Sequence, residues 1–110
     1  MEINTRTEQS AVVVSIKGRV DTVTAPELER CLSEEIDRGE NLLILNMTDL
    51  DYISSAGLRV VLLTAKKLKV KQGDILLSGL QGVVKEVFEI SGFSTIFKIF
   101  DTEEDALKQE

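Results

Sequence analysis

Predicted strands and helices alternate along this chain, and their order limits the possible folds more than any single residue does. Leu42 to Leu45 is a continuous apolar run between polar residues, which is typical of a strand buried on both faces. Beyond it, apolar residues recur every three or four positions between Ser55 and Gly73, which predicts the longest helix of the chain. These residues are Leu58, Val61, Leu62, Ala65 and Leu68. Because parallel strands need a crossover connection, this order predicts parallel strands with helices packed against the sheet.

The first forty residues predict a hairpin followed by a helix. An edge strand is predicted over residues 2–7, and the alternation of Val12, Val14 and Ile16 predicts a second strand that ends at Gly18. The sequence Thr24-Ala25-Pro26-Glu27 has the form of a capping box with proline in the first helical turn. The helix that follows has the apolar stripe Leu28, Leu32 and Ile36, and it is predicted to end at Gly39.

The last third of the chain predicts two more strands and two more helices. A buried strand is expected at residues 75–77, a short helix around residues 83–88, and a last strand at residues 96–100. Thr102 is placed to cap a terminal helix over residues 103–108. We therefore expect an α/β fold in one domain, residues 1–110, whose mixed central sheet of about five strands is flanked by about four helices.

The composition is that of a small folded domain rather than of an exported or nucleic-acid-binding protein. A chain of 110 residues with 43% hydrophobic residues can bury a core without metal or disulfide links. Cys31 is the single cysteine, so it cannot form an internal disulfide, and it is expected to pack beside the first helical stripe. The formal net charge of −6 argues against direct binding of nucleic acid. No long apolar run indicates a membrane span, so we expect a soluble cytoplasmic protein without membrane contacts.

The absence of histidine excludes several classes of enzyme. Ser-His-Asp and Cys-His nucleophile systems are not available within this chain, and neither are histidine-based metal sites. The sequence also contains no Walker loop and no GxGxxG fingerprint. We therefore predict no catalytic residue, no metal ligand and no cofactor, and we do not expect the protein to be an enzyme.

The segment from Asp49 to Arg59 predicts a strand-to-helix turn that carries a serine. At a helix N-terminus the first backbone N–H groups have no partner within the helix, and the helix dipole favours negative charge there. Ser55 is therefore a candidate helix cap and also a candidate phosphorylation site. In parallel sheets the functional crevice lies beyond the carboxyl ends of the strands, which places Asp21 in the loop from Gly18 to Thr24 close to this turn.

Three segments together resemble one family, the STAS domain, and in particular the stand-alone bacterial anti-sigma factor antagonists. The first is Gly18-Arg19-Val20-Asp21 with Thr24-Ala25. The second is Leu43-Ile44-Leu45-Asn46, which leads to Tyr52-Ile53-Ser54-Ser55-Ala56-Gly57-Leu58. The third runs from Leu80 into Ile90-Ser91-Gly92-Phe93, so the similarity extends over nearly the whole chain.

The resemblance implies a partner-switching protein of transcription regulation, as in stress or sporulation signalling. Its unphosphorylated form would bind an anti-sigma factor that is also a serine kinase, and would thereby release the sigma factor. Phosphorylation by that kinase would end the complex, and a separate serine phosphatase would reverse the modification. The antagonist itself would perform no chemistry.

Site residues follow from the same resemblance. The phosphoacceptor corresponds to Ser55, with Ser54 as a minor candidate, and the loop aspartate of the family corresponds to Asp21. Many members carry an aspartate immediately before the acceptor, where this chain has Ser54. The expected partner-binding residues are Asp21, Thr22, Ser54, Ser55, Ala56, Gly57 and Arg59.

Alternatives to these roles remain open at the level of the sequence. Asp21 is equally well explained as a turn residue, because aspartate is common in such turns. Val60 and Leu63 lie off the main helical stripe, so they are either packed on a second side or exposed near the start of the helix. A STAS-type sensor or scaffold module that binds a small anion or nucleotide is the main alternative function. A serine-dependent transferase would have to use Asp21 as its base.

Overall fold

Six strands form one mixed sheet in the computed structural model, which describes residues 1–109. The strands are β1 (Glu2–Glu8), β2 (Ala11–Val20), β3 (Leu42–Asn46), β4 (Leu50–Ile53), β5 (Asp74–Ser78) and β6 (Lys98–Phe100). Their order is β1-β2-β3-β5-β6, and β4 pairs separately with the end of β2. The β1–β2 hairpin is antiparallel and every other pairing is parallel, which confirms the predicted mixed sheet. The predicted domain runs to residue 110, which lies outside the described residues.

Four α-helices within residues 1–109 cover the two faces of the sheet unequally. They are α1 (Ala25–Asp37), α2 (Ser55–Val70), α3 (Gly82–Ile90) and α4 (Glu103–Leu107). Side chains of α1, α2 and α3 belong to the larger core cluster, whereas α4 contributes Ala106 to a smaller cluster on the other face. None of these helices has the length and apolar character needed to span a membrane.

The strand β3 is buried on both faces, as its apolar run predicts. Leu43 and Leu45 belong to the larger core cluster and Ile44 to the smaller one, and all three are fully buried. The predicted stripe of α1 is also confirmed, because Leu28 and Leu32 are fully buried. Cys31, in contrast, is only half-buried beside that stripe. Partial burial raises the pKa of its thiol, which disfavours the reactive thiolate.

The region between β3 and α2 differs from the sequence-based expectation. The strand β2 does not end at Gly18 but continues to Val20. Gly18 has a φ of +97°, and the pairing register with β4 shifts between Gly18 and Arg19. The extended end of β2 pairs with β4, a strand between β3 and the serine turn that the sequence-based prediction lacks. The four residues of β4 are too few to display a strand period, and the strand depends on this pairing and on the burial of Leu50 and Ile53.

The start of α1 and the end of α2 lie close to the predicted positions, but the interactions that form there differ from those predicted. Thr24 precedes α1 as expected, but its side chain makes no capping hydrogen bond to the helix, so the capping box does not form. The helix α2 ends at Val70, and Gln72 adopts the left-handed conformation with a φ of +60°. Gly73 is required instead by close packing, because a side chain there would overlap the Asn41 carbonyl oxygen.

The carboxyl-terminal elements agree with the sequence in type and nearly in position. A short 3₁₀ turn over Phe93–Thr95 delays β6, which begins at Lys98 rather than at residue 96. Thr102 caps α4 as predicted, because its hydroxyl accepts a hydrogen bond of 3.1 Å from the Asp105 N–H.

Candidate functional site

The carboxyl ends of β2 and β4 lie side by side and carry the two loops that the sequence places together. Val20 pairs with Ile53 at the end of the two strands, and the Ser54 N–H donates a hydrogen bond of 2.8 Å to the Val20 carbonyl. The β2–α1 loop and the β4–α2 junction are therefore tied to each other by backbone hydrogen bonds. This confirms the expectation that the loop from Gly18 to Thr24 approaches the serine turn.

The helix cap of α2 is Ser54 and not Ser55. Ser54 has extended backbone dihedrals, and its hydroxyl oxygen accepts a hydrogen bond of 3.3 Å from the Gly57 N–H. The capping role predicted for Ser55 is therefore wrong, because Ser55 is already the first residue of the helix. Serine and aspartate are both favoured N-cap residues. An aspartate, which the resemblance implies for many family members at this position, would be able to form the same cap.

Ser55 presents its side chain to solvent at the start of α2. It is exposed, and its hydroxyl makes no hydrogen bond to any of residues 1–109. The first backbone hydrogen bond of the helix runs from the Leu58 N–H to the Ser54 carbonyl, so the N–H groups of Ser55 and Ala56 precede it. The 16-residue helix behind them adds partial positive charge at this end. The surroundings of Ser55 are therefore compatible with an added negative charge.

A groove of about 430 Å³ separates the start of α1 from the first turns of α2. Its lining residues are Thr22, Ala25, Pro26, Glu29, Ser55, Ala56, Arg59, Val60 and Leu63. The groove brings together four residues that the sequence places in the partner-binding set, namely Thr22, Ser55, Ala56 and Arg59. Val60 is buried at the base of the groove, which agrees with the alternative that it packs on a second side of the helix. Leu63 is 39% exposed, which agrees with the alternative of exposure near the start of the helix.

Asp21 organises the β2–α1 loop. One carboxylate oxygen accepts hydrogen bonds of 3.0 Å from the N–H groups of both Val23 and Thr24. These bonds hold the pKa of the Asp21 carboxyl below its usual range, the Thr24 N–H making the largest contribution. Asp21 does not line the groove, so the structure supports its role as a turn residue.

Gly57 does not belong with the exposed residues of the predicted set. It is buried, and a Cβ atom there would lie 2.7 Å from side-chain carbons of both Val20 and Ile53. The structure gives Gly57 a packing role, and the expected partner contact at Gly57 stays a prediction. Its lack of a side chain lets the first turn of α2 pack directly on the ends of β2 and β4.

Comparison with known proteins identifies the family of this chain. A sequence profile of the STAS domain matches residues 2–106. The chain is 46% identical over 95 residues to BtrV of Bordetella bronchiseptica, a candidate anti-sigma factor antagonist, and the match covers 86% of this chain and 82% of BtrV. It is also 30% identical over 90 residues to the anti-sigma-B factor antagonist of Listeria monocytogenes, with 82% and 79% of the two chains covered. The chain belongs to the STAS domain family.

Solved structures share the fold of this STAS domain at lower sequence identity. An anti-sigma factor antagonist from Mycobacterium paratuberculosis matches with a TM-score of 0.91 and 23% identity over 98% of this chain and 92% of that one. The Bacillus cell fate determinant SpoIIAA, solved in its phosphorylated form, matches with a TM-score of 0.77 and 23% identity over 98% of each chain. The resemblance seen in the sequence is therefore confirmed at the level of family and fold.

Three features of the site in this STAS domain are not evident from the sequence. Pro26 and Glu29 line the groove, although the capping-box interpretation gave Pro26 only a role in starting α1. Arg19 lies over the ring of Tyr52, with its guanidinium carbon 4.3 Å from the ring centroid. The only available signal for Glu29 is its position one residue after the stripe residue Leu28, at the edge of the buried face.

Proposed function

We propose that this STAS domain is an anti-sigma factor antagonist that is switched by phosphorylation of Ser55. In its unphosphorylated form it binds a cognate anti-sigma factor, itself a serine kinase, and thereby frees the sigma factor for transcription. The kinase uses ATP to phosphorylate Ser55 and so ends the complex, and a separate serine phosphatase restores the active form. The antagonist performs no chemistry of its own, and this function requires a cytoplasmic location.

The observation that carries the proposal is the different environment of the two neighbouring serines. The hydroxyl of Ser54 is engaged with the Gly57 N–H and is half-buried, whereas the hydroxyl of Ser55 is exposed and unpaired within residues 1–109. A kinase must bring the acceptor oxygen into line with the transferred phosphoryl group, which favours a hydroxyl that can be reached without breaking a helix cap. The names of BtrV and of the Listeria relative, and the phosphorylated form of SpoIIAA, support the same function.

The switch requires no refolding of the antagonist. A phosphate adds about −1.5 to −2 charges at neutral pH, and at a helix N-terminus this charge does not oppose the dipole. The effect of the phosphate therefore falls on the partner, where an unmatched dianion is desolvated or meets like charge. A loss of about 3 kcal/mol would weaken binding roughly a hundredfold, since each 1.4 kcal/mol corresponds to a factor of ten.

The predicted partner-binding residues take two kinds of role in this proposal. Thr22, Ala56 and Arg59 line the groove with Ser55, and we propose them as direct contacts. Asp21 and Ser54 act indirectly, because Asp21 fixes the β2–α1 loop and Ser54 fixes the first turn of α2. Both are therefore proposed as residues that hold the contact surface in shape.

Phosphate mapping tests the acceptor. The protein is incubated with candidate anti-sigma factor kinases and ATP, and the modified residue is identified by mass spectrometry. We expect phosphate on Ser55 in the unmodified sequence and in Ser54→Ala, and none in Ser55→Ala. Phosphate on Ser54, or undiminished incorporation in Ser55→Ala, would contradict the proposal.

Binding measurements with the kinase that modifies the protein test the switch. We expect Ser55→Ala to bind about as well as the unmodified protein and Ser55→Asp to bind at least tenfold more weakly. Thr7→Asp is the matched control, since it adds the same charge opposite Val12, at the other end of β2 from the serine turn. Equal affinities for the Ala and Asp variants of Ser55, or an equal loss in Thr7→Asp, would exclude a local electrostatic switch.

A further inference from the structure

Arg59 lies one helical turn beyond Ser55 and has no anionic partner among the described residues, 1–109. It is exposed and lines the same groove as Ser55. Within residues 1–109 its guanidinium makes neither a hydrogen bond nor an ion pair. Glu29 lines the groove from α1, yet it too forms no ion pair among these residues. The five N–H donors of Arg59 are therefore available.

The positions of Ser55 and Arg59 on α2 are those of an interacting helical pair. Residues four apart lie on the same helix face, with about 5–6 Å between their Cβ atoms. The more favourable order places the negative side chain first and the positive side chain four residues later. A phosphate on Ser55 would stand first, and Arg59 would follow it. The guanidinium fork matches the oxygen atoms of a phosphate, to which it can donate two hydrogen bonds.

We infer that Arg59 is the internal counter-ion of a phosphate on Ser55. The inference rests on the proposed phosphorylation of Ser55, and it concerns how that phosphorylation changes the charges in the groove. The modification introduces negative charge and at the same time engages Arg59, so the groove loses an available cation as well as gaining an anion. A partner that presents an acidic group to Arg59 would then meet two unfavourable changes from a single phosphate.

The pKa of the phosphate itself tests the inference without any kinase or partner. Phosphoserine is incorporated at position 55 during translation, and its second ionisation is followed by ³¹P NMR as a function of pH. Arg59 should lower that pKa, because a nearby cation stabilises the dianion. We expect Arg59→Gln to raise it by about half a unit, the size expected for an exposed ion pair, and Arg59→Lys to retain most of the effect.

Lys66→Gln provides a matched control on the same helix. Lys66 lies eleven residues after Ser55 and is exposed on nearly the same helix face. The distance from Ser55 along the helix axis is about 16 Å for Lys66 and about 6 Å for Arg59. The screening length at physiological ionic strength is about 8 Å, so only Arg59 lies within it. We expect Lys66→Gln to leave the phosphate pKa near that of the unsubstituted phosphoprotein.

Two results would overturn the inference. The first is the same phosphate pKa with and without Arg59. The second is an equal rise in Arg59→Gln and Lys66→Gln, which would indicate a general effect of net charge. Because the phosphate is installed without a kinase, either result leaves the acceptor test above unaffected. Conversely, a kinase that ignores Ser55 would refute the proposed function whatever the NMR titration gives.

Discussion

The two serines at the start of α2 should contribute very differently to stability. Ser54→Ala removes the oxygen atom that accepts the Gly57 N–H, whereas Ser55→Ala removes an exposed hydroxyl with no partner in the described chain. Loss of an N-cap side chain costs about 1 kcal/mol, within a range of about 0.5–2 kcal/mol. The bond of 3.3 Å is long, which lowers the expected cost, but the burial of Gly57 keeps water from replacing the lost acceptor. We therefore expect a loss of about 1 kcal/mol for Ser54→Ala and a few tenths of that for Ser55→Ala.

Equilibrium unfolding in urea measures the difference directly. For a domain of this size, about 1 kcal/mol corresponds to a fall in Tm of roughly 4 °C and to a lower urea midpoint with an unchanged m value. Ser54→Asp serves as the control, because aspartate also caps helices and its charge favours the helix N-terminus. It should therefore be at least as stable as the unsubstituted protein.

One result would refute this account of the serine turn. If Ser55→Ala lost as much stability as Ser54→Ala, the hydroxyl of Ser55 would have to be engaged in the folded protein. Ser55 would then be a poorer candidate for the phosphoacceptor, because modification would disrupt the helix start. Unfolding data on these two variants thus also bear on the proposed function.

Three further predictions concern packing, pH dependence and thiol reactivity. Gly57→Ala should destabilise the protein by about 1–3 kcal/mol in urea unfolding, because its Cβ would lie 2.7 Å from a side-chain carbon of Ile53; an unchanged midpoint would contradict the close packing. The pKa of Asp21 is lowered from its ordinary value of 3.8 in the folded state, so its charge stabilises the fold above that pH. Any difference in urea midpoint between the unsubstituted protein and Asp21→Asn should therefore be largest at neutral pH and shrink as the pH falls below about 4; a constant difference would refute the assignment. Because burial raises the pKa of Cys31, iodoacetamide should label it more slowly in the folded protein than in urea, and equal rates would show that the thiol is fully accessible.

Most elements of the fold could be predicted because their patterns are local. The apolar run of β3 and the four-residue spacing of Leu28, Leu32 and Ile36 each identify an element without reference to the rest of the chain. The strand β4 escaped prediction because four residues carry too little periodicity. It exists because β2 continues past Gly18 to Val20 and supplies a pairing partner for Leu50 to Ile53.

The candidate site could also be predicted only in part from the sequence. Its position at the carboxyl ends of parallel strands and the importance of the Ser54-Ser55 pair follow from the sequence. The sequence does not show which of the two serines caps the helix and which is exposed, because a shift of one residue in the predicted helix start exchanges these two roles. Nor does the sequence show that Glu29 and Arg59 line one groove from different helices, because that depends on how α1 packs against α2.

The sequence by itself determined the alternation of helices and strands apart from β4, the family and the segment that carries the site, because periodicity and motif are properties of neighbouring residues. Only the tertiary structure decided that Ser54 caps α2, that Ser55 is exposed, that Gly57 is buried and that Arg59 has no ion-pair partner within residues 1–109. Burial and pairing depend on atoms contributed by β2, β4 and α1, which are distant in the chain and meet only when the sheet has formed.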